Sequence, residues 1–508
     1  MSETQKVPEP QNVSRRKFLY YGIGGAIVIV AVGAGAYYLT RSTSTTTGTT
    51  GTTIPTSAAT NISPTTTASY PAPAEDSIYF DMWPYRPDLV GANVAQYDSE
   101  FNDVVNYAVL AGDWTSQIQD KLIAGSKDLD CAYVGTANAN TWYNAGWIRG
   151  LDDLQVETVA GVDVAYSIDD IKNDLTAPAW DCLLAGSTKK PCYLPYFESA
   201  FGNIVTNEKL LEAGGYADTT AKTSTYPKSY EELYAQCQDM QKKGVADSPL
   251  LKRWGNESWE MAMVAQIESQ ARGDPVFDSN GDPSFDVNTP YGDMLKDWQM
   301  IYSTKLCPQG VLNMTEGDNI TEFETGLHAY SEQHTYDLFT FQDPAQSKVA
   351  PNCSIVPPLT TNSPIGYLLV NGFFISNIKE SDQRLARKKR FAEFYTYKDS
   401  TTGTFYRPKN FMTSTGVGSP YPKVMSDPDV ISFVTAHVYR PQDATSMGQL
   451  LATAWMPEYL KYSWNSEWVT DQQTILQQCV QGTMTVTDAI NAMRTDAQNL
   501  KKKYGGNY

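Results

Sequence analysis

A chain of 508 residues is long enough for two or three lobes with real cores. Lys plus Arg number 39 against 57 Asp plus Glu, a net charge of -18, and this acidic balance excludes nucleic acid as a partner, because phosphate contacts require clustered Lys and Arg. Aromatics reach 12%, with 32 Tyr and 11 Trp, which suits both an aromatic core and a surface that stacks on sugar rings.

In chain order, Ser14-Arg15-Arg16-Lys17-Phe18-Leu19 resembles the twin-arginine export motif and precedes an uncharged run from Phe18 to Leu39. That run spans ~33 Å as a helix, enough for a bilayer core. The basic cluster before it puts the body outside the cell, and Tyr37, Tyr38 and Arg41 suit an interface anchor. Ala34-Gly35-Ala36 is also a small-residue cleavage pattern. Residues 42–74 carry no charge, and 18 of the 33 are Ser or Thr, a tract that cannot bury a core and reads as a disordered stalk. Asn61, Asn256, Asn313, Asn319 and Asn352 are N-glycosylation acceptors by sequence.

The body starts with a β-rich strand over Ser77–Trp83, left by the loop Trp83-Pro84-Tyr85. A second strand is expected over Asn102–Leu110, a helix over Asp113–Ala124 with Ile118 and Leu122 on one face, and a third strand over Asp130–Val134. This alternation predicts an α/β lobe with a largely parallel sheet. Further helices are expected from Ser229, whose pairing with Glu232 is a capping box, to Lys243; over Tyr291–Tyr302; and over Thr487–Lys503. Asp278-Ser279-Asn280-Gly281-Asp282 lacks the glycine and the bidentate acid of a calcium loop and reads as a hairpin turn. The basic run Arg384, Arg387, Lys388, Lys389 and Arg390 is expected on a solvated helix face.

Residues Gly326 to Lys398 organise the rest. A strand carries Tyr330, Gln333, His334 and Tyr336; then come Asp343-Pro344, a short apolar strand ending at Pro357-Pro358, the stretch Asn371-Gly372-Phe373-Phe374, and a helix capped by Ser381. This order resembles the extracellular solute-binding proteins of ABC importers, in the large sugar-binding family. There an Ala-Met strand ends in Gly-x-Trp, followed by an Asp-Pro loop, a Val-Ala-Pro-Leu-Pro strand and a Gly-Gly-Trp hinge. Tyr336 falls where the first Trp would be and Phe373 where the second would be. Ala145-Gly146-Trp147-Ile148 with Leu151-Asp152-Asp153-Leu154, and Tyr193-Leu194-Pro195-Tyr196 leading to Asn207, resemble further elements of that family. The likeness covers residues 76–505, with one residue more than usual between Pro195 and Asn207.

The resemblance implies an α/β, two-lobed periplasmic-binding-protein-like fold (type II), here with an N-terminal transmembrane helix and a disordered stalk. Lobe 1 would hold residues 76–193 and 370–410, and lobe 2 residues 196–368 and 411–508. Three crossings near Tyr193–Glu198, Leu369–Phe373 and Arg407–Thr415 would form a hinge. Ligands of such sheets sit beyond the carboxyl ends of the strands, which places Trp83, Tyr85, Asn138 and Trp142 near the cleft. Tyr196, Glu198, Trp254, Gln333, Tyr336, Asn371 and Phe373 complete the expected ligand-binding set. No Arg or Lys lies near this site in the sequence, which disfavours a phosphorylated ligand. The partners implied are a small solute, an ABC permease and the membrane, without nucleic acid and without a cofactor.

Three His lack metal-ligand spacing, and no nucleophile elbow or phosphate loop occurs. A paired-carboxylate glycosidase has no local motif and stays as a rival, beside a structural surface protein or the same fold with a peptide or polyol phosphate. Of seven Cys, Cys182 and Cys192 flank a short loop and are expected to form a disulfide; Cys307 with Cys353 is a weaker second pairing, and Cys131, Cys237 and Cys479 stay reduced.

Overall fold

The computed structural model describes residues 76–111, 114–155, 159, 161–186, 188–255, 258–359, 366–452 and 454–506. The export motif, the Phe18–Leu39 run, the Ser/Thr-rich tract and the acceptors Asn61 and Asn256 lie outside the described residues. Among the described residues no helix is long and apolar enough to cross a membrane, and no group of three or more His, Cys, Asp or Glu is arranged to hold a metal ion.

One sheet of eight strands runs through the molecule: β1 (Ser77–Met82), β2 (Val104–Val109), β3 (Cys131–Gly135), β4 (Leu194–Asn207), β5 (Leu250–Leu251), β6 (Tyr330–His334), β7 (Cys353–Ile355) and β8 (Tyr367–Ile375). Their order is β2-β1-β3-β8-β4-β6-β5, with β7 also on β4. At one end β2 and β3 flank β1 in parallel, the first lobe's βαβ unit. At the other, β6 and β7 run antiparallel to β4. The 14-residue β4 and the antiparallel β8 join the two lobes, paired from Tyr367 with Phe201 to Phe373 with Leu194.

The period-2 pattern of β3 assigns its two faces to two cores. Cys131 and Tyr133 join a cluster with Ile78, Phe80 and Met82 of β1, whereas Ala132 and Val134 join the larger cluster that continues into the second lobe. Helices close these faces: α1 (Pro87–Phe101), α2 (Trp114–Ile123), α3 (Thr136–Asn144), α4 (Tyr230–Lys242), α5 (Ser258–Ala271), α6 (Pro290–Ser303), α7 (Glu316–Glu324), α8 (Asp382–Thr396), α9 (Tyr406–Thr415), α10 (Asn465–Val480) and α11 (Val486–Lys503). Ser229 caps α4 by accepting from Glu232 N, while the Glu232 carboxylate reaches back to Lys228 N rather than to the cap residue. The hairpin expected around Asn280 reduces to one bridge, Phe277 with Pro283.

The basic run of α8 is not solvated. Lys388 is fully buried and pairs with Asp130 at 2.8 Å and Glu380 at 2.6 Å; Arg384 also pairs with Asp130, and Arg390 with Asp103 at 2.7 Å. The helix packs against β4, β8 and α1, and its cations meet Asp103 and Asp130, the residues that lead into β2 and β3. The second lobe has a comparable centre. Lys252 lies between Glu268, at 3.3 Å, and Glu332, with the rings of Trp254, Trp298, Tyr230 and Tyr234 around its ammonium. Trp298 Nε1 and Tyr234 OH donate to Glu268 at 2.8 and 2.7 Å.

All seven Cys are free and buried, so neither Cys182–Cys192 nor Cys307–Cys353 is a disulfide here. Cys192 Sγ instead donates to the Leu183 carbonyl at 3.5 Å, and each thiol serves as a small apolar filler. Asn319 is 2% exposed; its Nδ2 donates to the Lys252 carbonyl at 3.0 Å and its Oδ1 accepts from Gln333, so the folded protein offers no glycan site there.

Removing Asp130 leaves two first-lobe cations, Lys388 and Arg384, to share Glu380. Asp130→Ala is expected to lower unfolding free energy by about 3–5 kcal/mol; urea unfolding followed by tryptophan fluorescence measures it, and a change below ~1 kcal/mol would show that the pair is not desolvated as described.

Candidate functional site

The chain leaves β1 at Met82 and places Trp83 and Tyr85 at the carboxyl ends of the parallel strands. Their rings stack 4.9 Å apart, and the other side of Trp83 stacks on Tyr133 at 5.1 Å with 15° between planes. Tyr133 continues to Phe197 at 6.0 Å, and Phe197 to Phe411 at 5.5 Å, both stacked. This gives a short, folded-back column of five aromatics from β3, β4, α9 and the loop after β1: Tyr85 at one end also meets Phe411 at the other, edge-on at 6.2 Å, and Trp83 lies 6.4 Å from Phe197. Trp83 is half-buried, and its Nε1–H has no hydrogen-bond partner among the described residues. The nitrogen itself is buried, so this indole donor is unsatisfied rather than exposed.

The second lobe faces this column with Tyr336. A bulge between Gln333 and His334 ends β6, and two residues later the half-buried Tyr336 ring stacks on His334 at 5.0 Å with 9° between planes. Tyr336 OH donates to Glu316 Oε1 at 3.3 Å, and the same oxygen accepts from Arg253 Nη2 at 2.9 Å. Glu316 is the first residue of α7, capped by Thr315, so its carboxylate also sits at a helix N-terminus. Arg253 is fully buried and lies 3.2 Å from Glu260 as well. Burial opposes its charge, but Glu260, Glu316 and Asp337 outweigh that and hold it above the ordinary arginine value. His334 Nε2 is 3.4 Å from Glu316, yet burial, then the Arg253 charge, keeps the imidazole well below its usual range, so at neutral pH this contact is no ion pair. Burial pushes both the Tyr133 and Tyr336 phenols well above 10, with the Glu316 carboxylate as the next cause for each. Glu316 thus acts on a first-lobe and a second-lobe phenol at once.

Glu198 and Asn371 lie where the lobes join. Glu198 pairs with Val370 of β8, and its N–H donates to the Gly418 carbonyl at 3.1 Å, so three chain segments meet at this residue. It is 6% exposed, and burial alone pushes its carboxyl up to about 8. Asn371 pairs with Gly135 and Phe197. A Cβ on Gly135 would stand 2.7 Å from Asn371 Oδ1, so a larger residue there would displace this amide from its place beside the start of α3. Asn138, in the first turn of α3, is half-buried.

Of the residues expected in the site, Trp83, Tyr85, Asn138, Glu198, Tyr336 and Asn371 stand at the cleft or hinge. Five do not. Trp142 is buried one turn below Asn138, edge-on to Phe374 at 5.5 Å, with its Nε1 donating to Gln119. Trp254 belongs to the Lys252 centre and lies 5.0 Å from Trp298. Tyr196 and Phe373 are 1% exposed and pack on each other at 5.4 Å and on Tyr395 at 5.1 and 4.9 Å. Gln333 is buried, donating to Asn319 and Ser331 at 2.9 and 2.7 Å. The sequence reading missed Tyr133, Phe197, Arg253, Glu316, His334 and Phe411. Two had a usable signal: His334 precedes Tyr336 by two in a strand pattern, and Phe197 adjoins Glu198 in a crossing. The expectation of no cation here is also corrected, since Arg253 adjoins Tyr336, though Glu260 and Glu316 neutralise it.

A family model described as bacterial extracellular solute-binding protein matches residues 91–396. No curated protein matches the chain. Among solved structures, a maltose-bound MalE3 of T. maritima superposes with a TM-score of 0.66 at 14% identity, over 84% of this chain and 99% of its own. A chitin oligosaccharide binding protein gives 0.65 at 14% identity, over 84% and 100%. An ABC transporter solute binding protein of Agrobacterium vitis S4 with bound D-mannitol gives 0.63 at 16% identity, over 84% and 99%. At these identities the likeness is one of fold.

Glu198 makes stability depend on pH. Between its ordinary value of 4.5 and about 8 the folded chain keeps a proton that the unfolded chain releases, so this residue costs stability progressively as pH rises through that window. Glu198→Gln is expected to melt higher than the parent protein by a margin that widens from pH 5 to pH 8 and then levels off; a margin independent of pH in thermal scans would refute the assignment.

Proposed function

Because the chain belongs to the bacterial extracellular solute-binding protein family, we propose that its cleft captures a neutral saccharide or polyol for an ABC importer. The observation that carries this is the Tyr85–Trp83–Tyr133 stack opposite Tyr336, with the Trp83 indole N–H unpartnered. Flat apolar rings match the C–H faces of a sugar, and a lone indole donor suits a hydroxyl. The Arg253–Glu316 pair supports an uncharged ligand: each ion is offset by the other, and a paired carboxylate still accepts from hydroxyl groups. The solved relatives named for maltose, chitin oligosaccharide and D-mannitol favour the same class.

Binding and release follow from the crossings. In this reading lobe 1 holds β1–β3, and lobe 2 holds β5–β7; the hinge comprises Tyr193–Glu198, Leu369–Phe373 and a third crossing that follows Val430. The third crossing lies there because Phe411, Met412, Tyr421, Val424 and Val430 all pack in the first lobe's cluster while Phe433 meets Phe339 of the second lobe at 5.3 Å. Closing brings Tyr336 onto the aromatic column and sheds water from the ligand; opening needs dihedral changes only in these short stretches. Family members are binding proteins without catalysis, so the solute leaves unaltered.

Delivery to a permease and attachment to the membrane complete the proposal. The uncharged run from Phe18 to Leu39 behind Arg15 and Arg16 supports export and an anchor, and the Ser/Thr-rich tract after it supports a spacer. Removing residues 1–41 is expected to shift the protein from the membrane fraction to the soluble one, as read by sedimentation and immunoblot; equal membrane retention would count against the anchor.

Titrating maltotriose, chitotriose and D-mannitol into the purified protein is expected to raise its melting temperature with at least one of them, by mass action on the folded state. Trp83→Ala and Tyr336→Ala should each weaken that ligand by about tenfold or more, ~1.4 kcal/mol. Unchanged affinity in both variants, measured by calorimetry, would place the ligand elsewhere.

A further inference from the structure

A groove of about 520 Å³ opens on the first lobe away from the cleft. Tyr143 and Asn144 line it at the end of α3, whose other end starts beside Gly135 at the cleft, so the helix separates the two by ~13 Å at about 1.5 Å per residue. Its floor is tied to the far end of β8. Asn377 N–H donates to the Trp147 carbonyl at 2.8 Å and Asn377 Nδ2 to the Gly146 carbonyl at 3.0 Å, six residues beyond Asn371, or ~20 Å of strand.

The chemistry of its wall is specific. A Cβ on Gly150 would meet Asp152 Oδ1 at 3.0 Å, a Tyr143 ring carbon at 3.5 Å and Lys190 Cδ at 3.6 Å, so an aromatic face and two charged side chains converge over a glycine that leaves the space clear. Lys190 and Asp152 neutralise each other at 2.9 Å. Asp153 is held by the buried Lys389 at 3.1 Å, and Arg149 reaches it only at 3.9 Å. Arg149 Nε is buried without a hydrogen-bond partner among the described residues. Three cations thus meet two carboxylates, leaving one positive charge over in a chain whose net charge is -18. The Arg149 side chain lines the groove, 23% exposed, with its one ion pair at 3.9 Å, and the fork geometry of arginine suits a carboxylate. The adjoining tyrosine face and the amides of Asn144 and Asn377 suit a hydroxylated ring rather than a bare anion.

We propose that this groove is a second ligand site that takes an acidic saccharide, a uronic acid unit whose ring lies on Tyr143 and whose carboxylate engages Arg149. The site is independent of the cleft, and its failure would leave the cleft assignment untouched. Trigalacturonate and maltotriose titrated into the full-length Trp83→Ala protein, followed by calorimetry, test it. Trigalacturonate is expected to bind with one-to-one stoichiometry, to lose at least tenfold in affinity when Arg149→Gln or Tyr143→Ala is added, and to recover only in part with Arg149→Lys, which keeps the charge and loses the fork. Both sites are partly exposed, and unchanged melting temperatures of these variants confirm that folding is not at issue. No binding of trigalacturonate, equal binding by Arg149→Gln, or equal binding of uncharged maltotriose would each overturn the proposal.

Discussion

The antiparallel pairing of β4 with β8 is the constraint from which the rest follows. These two strands belong to both lobes, and the register from Tyr367–Phe201 to Phe373–Leu194 fixes where each lobe's residues stand relative to the other's. The register slips once, between Asn371 and Gly372. Gly372 lies so close to β4 that a Cβ would overlap the Leu194 carbonyl oxygen, which makes glycine the residue that lets the bulge exist. Above the slip, Asn371 is half-buried beside Gly135; below it, Phe373 turns into the first lobe's core. A single backbone irregularity therefore separates a half-buried residue from a fully buried one two positions on.

Around that spine the protein solves an electrostatic problem. Its surface is strongly acidic, yet many of its cations are interior, in the Asp130–Lys388–Glu380 group of the first lobe, the Glu268–Lys252–Glu332 group of the second, and the Glu260–Arg253–Glu316 group at the cleft. Buried ions are costly unless paired, and such groups specify which elements must meet more than they add net stability. The cleft group differs in being only partly sealed: the Glu316 side chain is 29% exposed. It is a fixed polar surface of one cation against two carboxylates, beside stacked rings. The hinge carboxyl of Glu198 is the exception to the pairing rule, and it answers burial by keeping its proton.

The aromatic column also shows how one structural motif serves core and site together. Phe411, Phe197 and Tyr133 are interior, while Trp83 and Tyr85 continue the same stack to the half-buried edge. The outer rings thereby rest on buried neighbours. Tyr336 has its own support in the neutral His334 ring and the Glu316 acceptor.

Local sequence determined the elements and their order: period-2 apolar runs made β1–β3, caps such as Ser229 and Ser381 started helices, and the succession of strand, Asp-Pro loop, strand and hinge carried the family likeness. It also singled out Trp83, Tyr85 and Asn138, which stand half-buried beyond the carboxyl ends of the parallel strands, because strand ends are positions that pattern reveals. What it did not determine was depth. Asn138 and Trp142 share a helix, four residues apart, and differ only in how far each lies from its open end; Tyr336 and Phe373 hold equivalent places in the motif order, and a bulge sends one outward and the other in. Partners distant in sequence were equally out of reach: Arg253 meets Glu316 across 63 residues, and the cations of α8 found carboxylates up to 287 residues earlier. Residue type and spacing set which side of a strand or helix is apolar, but burial is a property of what packs against that side, and only the assembled tertiary structure decides it.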